Sequence, residues 1–308
     1  MSANTHNHLA AETVEPVLPK QPSTLTRWTR LLLKSKTGTA GLFIVMITIF
    51  IALFAPLLAP YDPALPNTAN MLKPPVWMEG GSSEYILGTD NLGRDILSRI
   101  LYGSRVSLLV GVAAVIVAGA IGLVVGLVAG YYGKFLDNVL MRLVDAFLAV
   151  PNILLILVVI GVFGASLLNL IIIIGFTNWV NYARVVRGEV LSVKEREYVK
   201  ASKSIGTKNI VIIVKHILPN VFSSFVVIAT LSVASTIILE ASLSFLGLGI
   251  QPPHVSWGGM LSSGRNYLAT SWWVATFPGV AITITVLGII FLGDWLRDIL
   301  DPRSQGRR

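Results

Sequence analysis

Apolar residues along the chain gather into six blocks, near 39–59, 106–130, 143–164, 166–183, 221–248 and 272–293. A helix of roughly 20 mostly apolar residues crosses the hydrocarbon core of a bilayer. Polar and charged positions collect between the blocks, so each block is apolar all round and lacks the single apolar stripe of a soluble helix. The pattern predicts an all-α integral membrane protein with six spans. A tail over 1–38 precedes the membrane domain at 39–293, and a second tail covers 294–308. The first block follows a basic stretch, Arg27 to Lys36, lacks a small-residue cleavage site and is followed by five more spans. It therefore reads as a retained anchor and not as a signal peptide. The first 23 residues, polar and containing prolines, are expected to be disordered.

Composition supports a membrane protein. Of 308 residues 54% are hydrophobic and 13% charged, against about a quarter charged in soluble domains. The net charge of +8 would suit nucleic acid, but the positions of the charges argue otherwise. Nineteen of the 24 Lys and Arg residues lie in 1–38, 131–142, 184–220 and the segment after 293; five lie in 60–105 and 249–271. Positive side chains stay on the cytoplasmic side, so both termini are predicted to be cytoplasmic, and the charge needs no nucleic-acid partner. The absence of cysteine excludes disulfides, thiolate zinc sites, iron–sulfur clusters and a thiol nucleophile.

On the opposite side, residues 60–80 are rich in proline and turn formers and are expected to form an ordered or semi-extended loop. Asp95 to Tyr102 has helical apolar spacing and reads as a short interfacial helix before the second span. Within that span Gly122, Gly126 and Gly130 recur every four residues, the spacing that lets two membrane helices approach closely. A packed helix interface accounts for it; a substrate-facing groove is the other reading. Ionisable residues inside the blocks are few. Arg142 and Asp145 are spaced to pair on one helix face. Glu240 sits near the outer end of the fifth span, and Asp294, Arg297 and Asp298 cluster at the inner end of the sixth. Structural pairing explains these groups, and they form no carboxylate chain of the kind a proton-coupled pump requires. Pro151 and Pro278 interrupt apolar helices and are expected to kink them.

The longest polar segment, 184–220, is too long for a simple connector. Tyr198, Ala201, Ser202 and Ile205 follow three- and four-residue spacing, with Lys200 and Lys203 between them, which predicts a short amphipathic helix over 198–205. Gly206 follows, where a helix end favours positive φ. A second helix is expected over about 209–218, limited by Pro219. Such a hairpin suits docking into a partner's cleft or lying on the bilayer.

This segment resembles the EAA loop of ABC importer permeases. Ala201, Gly206 and Leu218-Pro219 fall at the pattern's second, seventh and closing positions, while Lys200, Ser202 and His216 replace its Glu, second Ala and Ile. LGTDNLGRDILSRILYGSRVSL (87–108), HILPN (216–220), LEASLSFLGLGIQPPHVSWGGML (239–261) and LGDWLRDILDPR (292–303) resemble the C-type permease subunit of dipeptide, oligopeptide and nickel importers. The resemblance implies a type I importer fold with one additional N-terminal span, in the cytoplasmic (inner) membrane of a prokaryote. It implies a heterodimer with a homologous B-type permease, two cytoplasmic ATPase subunits and an extracytoplasmic solute-binding protein. It further implies that Tyr198, Lys200, Ala201, Ser202, Ile205 and Gly206 dock the ATPase. Glu240, Trp257 and Arg265 are candidates for the translocation path or for binding-protein contact. The implied cargo is a di- or oligopeptide, with a nickel chelate or a glutathione-like peptide as alternatives.

The chain's own residues agree that it is not an enzyme. No Gly-x-x-x-x-Gly-Lys-Ser/Thr phosphate loop occurs, and Gly130 to Phe135 has neither its spacing nor its hydroxyl. ATP and magnesium therefore belong to partner subunits, with no cofactor expected in this chain. A secondary transporter would combine repeats, broken helices and midplane ionisable residues, a combination not found here. An intramembrane serine protease would need to use Ser262, Ser263 and His254, but a Gly-x-Ser-x-Gly setting is missing. His6, His8, His216 and His254 are divided between the two sides, so no metal site of this chain is expected.

Overall fold

In the computed structural model, residues 35–300 are described; the expected disorder of the first 23 residues, and the last eight residues of the chain, lie outside them. Among the described residues the regular elements are helices, with no strand. We label them α1 (Lys36–Leu58), α2 (Ile96–Tyr132), α3 (Lys134–Leu148), α4 (Asn152–Phe163), α5 (Leu167–Lys194), α6 (Glu197–Ser204), α7 (Asn209–Phe245), α8 (Trp257–Gly264) and α9 (Trp273–Leu300). By length and apolar content α1, α2, α7 and α9 each suffice to cross a membrane, and α3 with α4 forms a further bent pair.

Several boundaries differ from the apolar blocks. The block at 143–164 is not one helix, because α3 and α4 meet at 81°. Pro151 stands at the start of α4, where it lacks a donor and disfavours helical backbone at the residue before it. The expected interfacial helix at 95–102 is instead the first turns of α2, whose 37 residues span about 55 Å at 1.5 Å per residue. Asp95 starts the helix by accepting from the Ser98 N–H (2.7 Å) and hydroxyl (2.7 Å). Nothing breaks the helix at Gly103, because the Trp257 indole packs against that position. At the other end of the α5 block, helix continues from 184 to Lys194, since Arg184, Arg187 and Glu189 change the solvent preference and not the helical backbone.

The expected helix at 209–218 likewise does not end at Pro219. A π segment, Ile213–Ile217, carries α7 past it, with the Leu218 N–H bonding to the Ile213 carbonyl five residues back. The wider turn accommodates a residue that cannot complete the ordinary ladder. Pro278 falls in the second turn of α9, which stays continuous to Leu300.

The closest helix contact, α2 against α5, explains the glycine spacing. A methyl at Gly126 would lie 2.6 Å from Val186 Cβ and 2.7 Å from the Ala183 carbonyl oxygen, and one at Gly130 would lie 2.7 Å from Val190 Cβ. Gly122 meets Tyr182 in the same way. The glycines therefore bring two backbones together. α1 packs against α9, where a methyl at Gly41 would lie 2.8 Å from the Gly288 carbonyl oxygen.

Arg142 and Asp145 do not pair among the described residues; the carboxylate that pairs at this end is Asp137. It accepts from Arg187 Nη2 at 2.7 Å, joining α3 to α5. Residues 59–95 fold into an ordered cap. Asp90 accepts from Arg94 Nε (2.8 Å), and Arg99 Nη1 donates to the Pro63 carbonyl (2.8 Å). Burial pushes the Asp95 carboxyl above the ordinary carboxylate range, opposed by its bonds from Ser98.

Candidate functional site

The segment singled out by sequence is the short helix α6 and its two flanking turns. It runs over Glu197–Ser204, one residue earlier than the 198–205 spacing predicts. Its end is closed by two bonds, Gly206 N–H to the Lys203 carbonyl (3.1 Å) and Thr207 N–H to the Ser202 carbonyl (3.2 Å). With Gly206 at φ +80° this is a Schellman closure, which reverses the chain directly after a helix. Val199, 3% exposed, is the anchor of α6, packing with Val190, Val193, Ile212 and Ile217 of α5 and α7.

The opposite side of α6 is uncovered. Tyr198 is 43% exposed and Ile205 82%, and Ala201, Lys200 and Gly206 are exposed beside them. Two further apolar residues of the segment, Ile210 and Val214 at the start of α7, are also exposed, at 62% and 51%. Their signal was the apolar run Ile210 to Val214 inside a polar loop, longer than one buried side of a helix can use. Lys200, Lys203, Lys208 and Lys215 of the same segment are exposed as well. Exposed apolar side chains on a helix held by a buried anchor suit a protein-docking surface.

The three departures from the EAA pattern have partners within the segment. Ser202 Oγ and His216 Nε2 lie 3.5 Å apart, so two of the replaced positions meet each other. Lys200 Nζ pairs with Glu195 at 2.9 Å on the surface, and this neighbour holds the Glu195 carboxyl below the usual range through its hydrogen bond and its charge. The hairpin is tied to α2 by Tyr131 Oη donating to Asn209 Oδ1 (2.8 Å), and the end of α5 is tied to α2 by Lys194 Nζ donating to the Gly130 carbonyl (2.8 Å).

At the end of the bundle opposite α6 the structure separates three residues that the sequence grouped. Glu240 and Trp257 are 1% and 2% exposed and offer no surface to a partner. Glu240 Oε1 accepts from Ser244 (2.7 Å) and Ser256 (2.9 Å), binding α7 to the start of α8. The Trp257 indole N–H donates to the Ile100 carbonyl (2.9 Å) and its backbone N–H to Ser107 Oγ (3.2 Å), which fixes α8 on α2. Arg265 is exposed, with Nη1 donating to the Phe245 carbonyl (2.9 Å) and its guanidinium over the Phe245 ring.

Ser262, Ser263 and His254 line one outer cleft of about 200 Å³. The Ser262 and Ser263 hydroxyls donate to the Phe245 (3.5 Å) and Gly259 (3.0 Å) carbonyls, and neither bonds His254. No activated serine is assembled there. Among the described residues no three His, Asp or Glu side chains gather as a metal site.

A bundle of membrane-length helices with an exposed loop helix defines a polytopic membrane protein. Residues 122–306 match the family described as binding-protein-dependent transport system inner membrane component, and residues 23–75 match the N-terminal transmembrane domain of oligopeptide transport permease C. The chain is 41% identical over 282 residues to the di/tripeptide transport system permease protein of Pseudomonas aeruginosa, covering 92% of this chain and 93% of that one. Against the dipeptide transport system permease protein of Escherichia coli the identity is 42% over 270 residues, covering 88% and 90%. The inward-facing MetNI methionine ABC transporter shares the fold, with a TM-score of 0.55 over 67% of this chain and 98% of that chain, at 21% identity. The chain belongs to the family of inner-membrane components of binding-protein-dependent transport systems, the permeases of ABC importers. It is a multi-pass membrane subunit.

Proposed function

We propose that this chain is the C-type permease subunit of an ATP-driven importer of di- and oligopeptides. The observation that carries the docking part of this reading is α6, an anchored helix with an uncovered apolar edge; the names of the relatives carry the peptide part. In this reading α1, α2, the bent pair α3–α4, α5, α7 and α9 are the six spans, and both termini are cytoplasmic. A homologous B-type permease completes the pathway across the membrane. Two ATPase subunits bind ATP and magnesium, and one of them receives Tyr198, Lys200, Ala201, Ser202, Ile205 and Gly206. Closure of the ATPase pair moves α6, and the packing of Val199 on α5 and α7, with the Tyr131–Asn209 bond from α2 to α7, passes that displacement to the spans as rigid-body motion. Of the three outer candidates Arg265 is the one placed to meet the solute-binding protein, with Glu240 and Trp257 holding α8 beneath it.

The test is uptake of radiolabelled Ala-Ala by cells lacking only this chain. Uptake is expected to be lost and to return with the full-length chain, and an ion-gradient uncoupler is expected to leave it unchanged while ATP is held constant. Unchanged dipeptide uptake with loss of nickel uptake would replace the cargo with a chelated metal. Loss of uptake to the uncoupler alone would favour a secondary transporter.

A further inference from the structure

Ionisable groups are scarce in the spans, but neutral polar groups are not, and they are gathered in one place. Asn152, at the start of α4, donates to Asn178 of α5 at 3.1 Å across the α3–α4 bend. One turn further along α5 stands Asn181, exposed and without a hydrogen-bond partner among the described residues. Two adjoining cavities share Asn178 and Asn181 as a common wall. One, of about 160 Å³, opens toward the bend and Asn152; the other, of about 50 Å³, is lined from α7 by Ser232 and Ser235 and from α5 by Tyr182. The Tyr182 side chain is 2% exposed, and its hydroxyl lies beside Ser232 without a hydrogen bond of good geometry. No charged residue lines either cavity.

Asn178, Asn181, Tyr182, Ser232 and Ser235 fall in the middle of α5 and α7, where exposed neighbours such as Ile172, Phe176 and Ile238 are apolar; Arg184, exposed one turn past Asn181, is the first charged position on α5. An amide facing lipid leaves its donors and acceptor unsatisfied at a cost of several kcal/mol. Polar side chains at that depth therefore face other helices or a water-filled space. Asn152 donates to Asn178, whose own amide donates to the Ile174 carbonyl at 2.9 Å, as interhelical glue would; Asn181 and Ser235 are exposed beyond that contact, with the Ser235 hydroxyl bonded to the Ser232 carbonyl within its own helix.

We infer that Asn152, Asn178, Asn181, Tyr182, Ser232 and Ser235 form this chain's share of the translocation path, a neutral polar strip that handles the peptide backbone. The inference rests on the peptide-importer reading. Amides and hydroxyls both donate and accept, so they exchange hydrogen bonds with any peptide unit whatever side chains it carries. A fixed charge in the strip would hold peptides of opposite sign and repel those of like sign. The strip therefore passes acidic, basic and neutral peptides alike and leaves selection to another subunit.

The chain has no cysteine, so single cysteines report directly. In membrane vesicles holding the complete importer, Asn181→Cys and Ser235→Cys are expected to react with a charged thiosulfonate at least about tenfold faster than Val158→Cys or Ile116→Cys, because a charged reagent does not enter lipid. Their rates are also expected to change between the ATP-free and vanadate-trapped states. Asn181→Asp is expected to lower uptake of Asp-Asp relative to Lys-Lys by about fivefold or more, the effect of like charges at contact distance even in water. Rates at Asn181→Cys and Ser235→Cys equal to those of the two controls in both nucleotide states would overturn the path. An Asn181→Asp importer with an unaltered Asp-Asp to Lys-Lys ratio would overturn contact with the cargo. If the unmodified importer moved no dipeptide while Asn181→Cys still labelled rapidly, the peptide reading would fail and the aqueous strip would stand.

Discussion

Replacing Gly206 with proline is expected to leave the protein in the membrane at its normal level and to reduce ATP-coupled uptake by more than about tenfold, the equivalent of 1.4 kcal/mol or more in coupling. Gly206 holds φ at +80°, whereas proline is confined near −65°. Proline also lacks the N–H that bonds to the Lys203 carbonyl at 3.1 Å. The Schellman closure cannot form, so the chain leaves α6 in another direction and the exposed residues before the turn, Tyr198 and Ile205, change position relative to those after it. Membrane insertion does not depend on this turn, which lies outside the apolar helices. Gly206→Ala separates the two causes. A methyl there meets nothing within 4 Å, so alanine bears only the left-handed backbone cost of about 1–2 kcal/mol, keeps the N–H that bonds to the Lys203 carbonyl, and is expected to lose less uptake than proline. Uptake assays beside immunoblots of membrane content measure both; normal transport by the proline variant would remove α6 from the coupling route.

Gly126→Leu is expected to prevent accumulation of the folded protein. The first carbon added at Gly126 falls 2.6 Å from Val186 Cβ and 2.7 Å from the Ala183 carbonyl oxygen, and a backbone oxygen within a helix cannot turn aside. Overpacking of a tight interior costs about 1–3 kcal/mol and sometimes more, and here α2 and α5 must separate along the glycine ridge to admit the side chain. Gly161→Leu, at a position with nothing within 4 Å, is the control and is expected to be recovered normally. The yield of monodisperse protein in mild detergent reads the difference. Equal yields would mean that the α2–α5 approach is not needed for the fold.

The apolar blocks fall on long apolar helices because lipid solvation is written in composition, but the same signal does not mark where a helix ends. α5 extends eleven residues past its block because charged residues there change the solvent preference without breaking the helix. The reverse held at Pro151, where one apolar block contains an 81° bend. At Gly206 sequence and structure agree closely, since a left-handed residue after a short amphipathic helix is a local requirement. Contacts between distant positions were not legible. Asp137 and Arg187 lie fifty residues apart, and nothing in the types of Glu240 and Trp257 indicated that both are buried. The asparagines were overlooked for a different reason: attention to ionisable groups passes over neutral amides, although in an apolar helix these too require a partner or water.

The central claim is that α6 is where this permease receives its ATPase. The most direct measurement is purification of the tagged full-length chain, coexpressed with the subunits encoded beside it, and quantification of the ATPase recovered. The parent chain is expected to bring down a second permease and ATPase subunits, and Gly206→Pro to retain the permease while losing the ATPase. Full ATPase recovery by Gly206→Pro, or recovery of the parent chain alone and still able to move solute into liposomes without ATP, would contradict it.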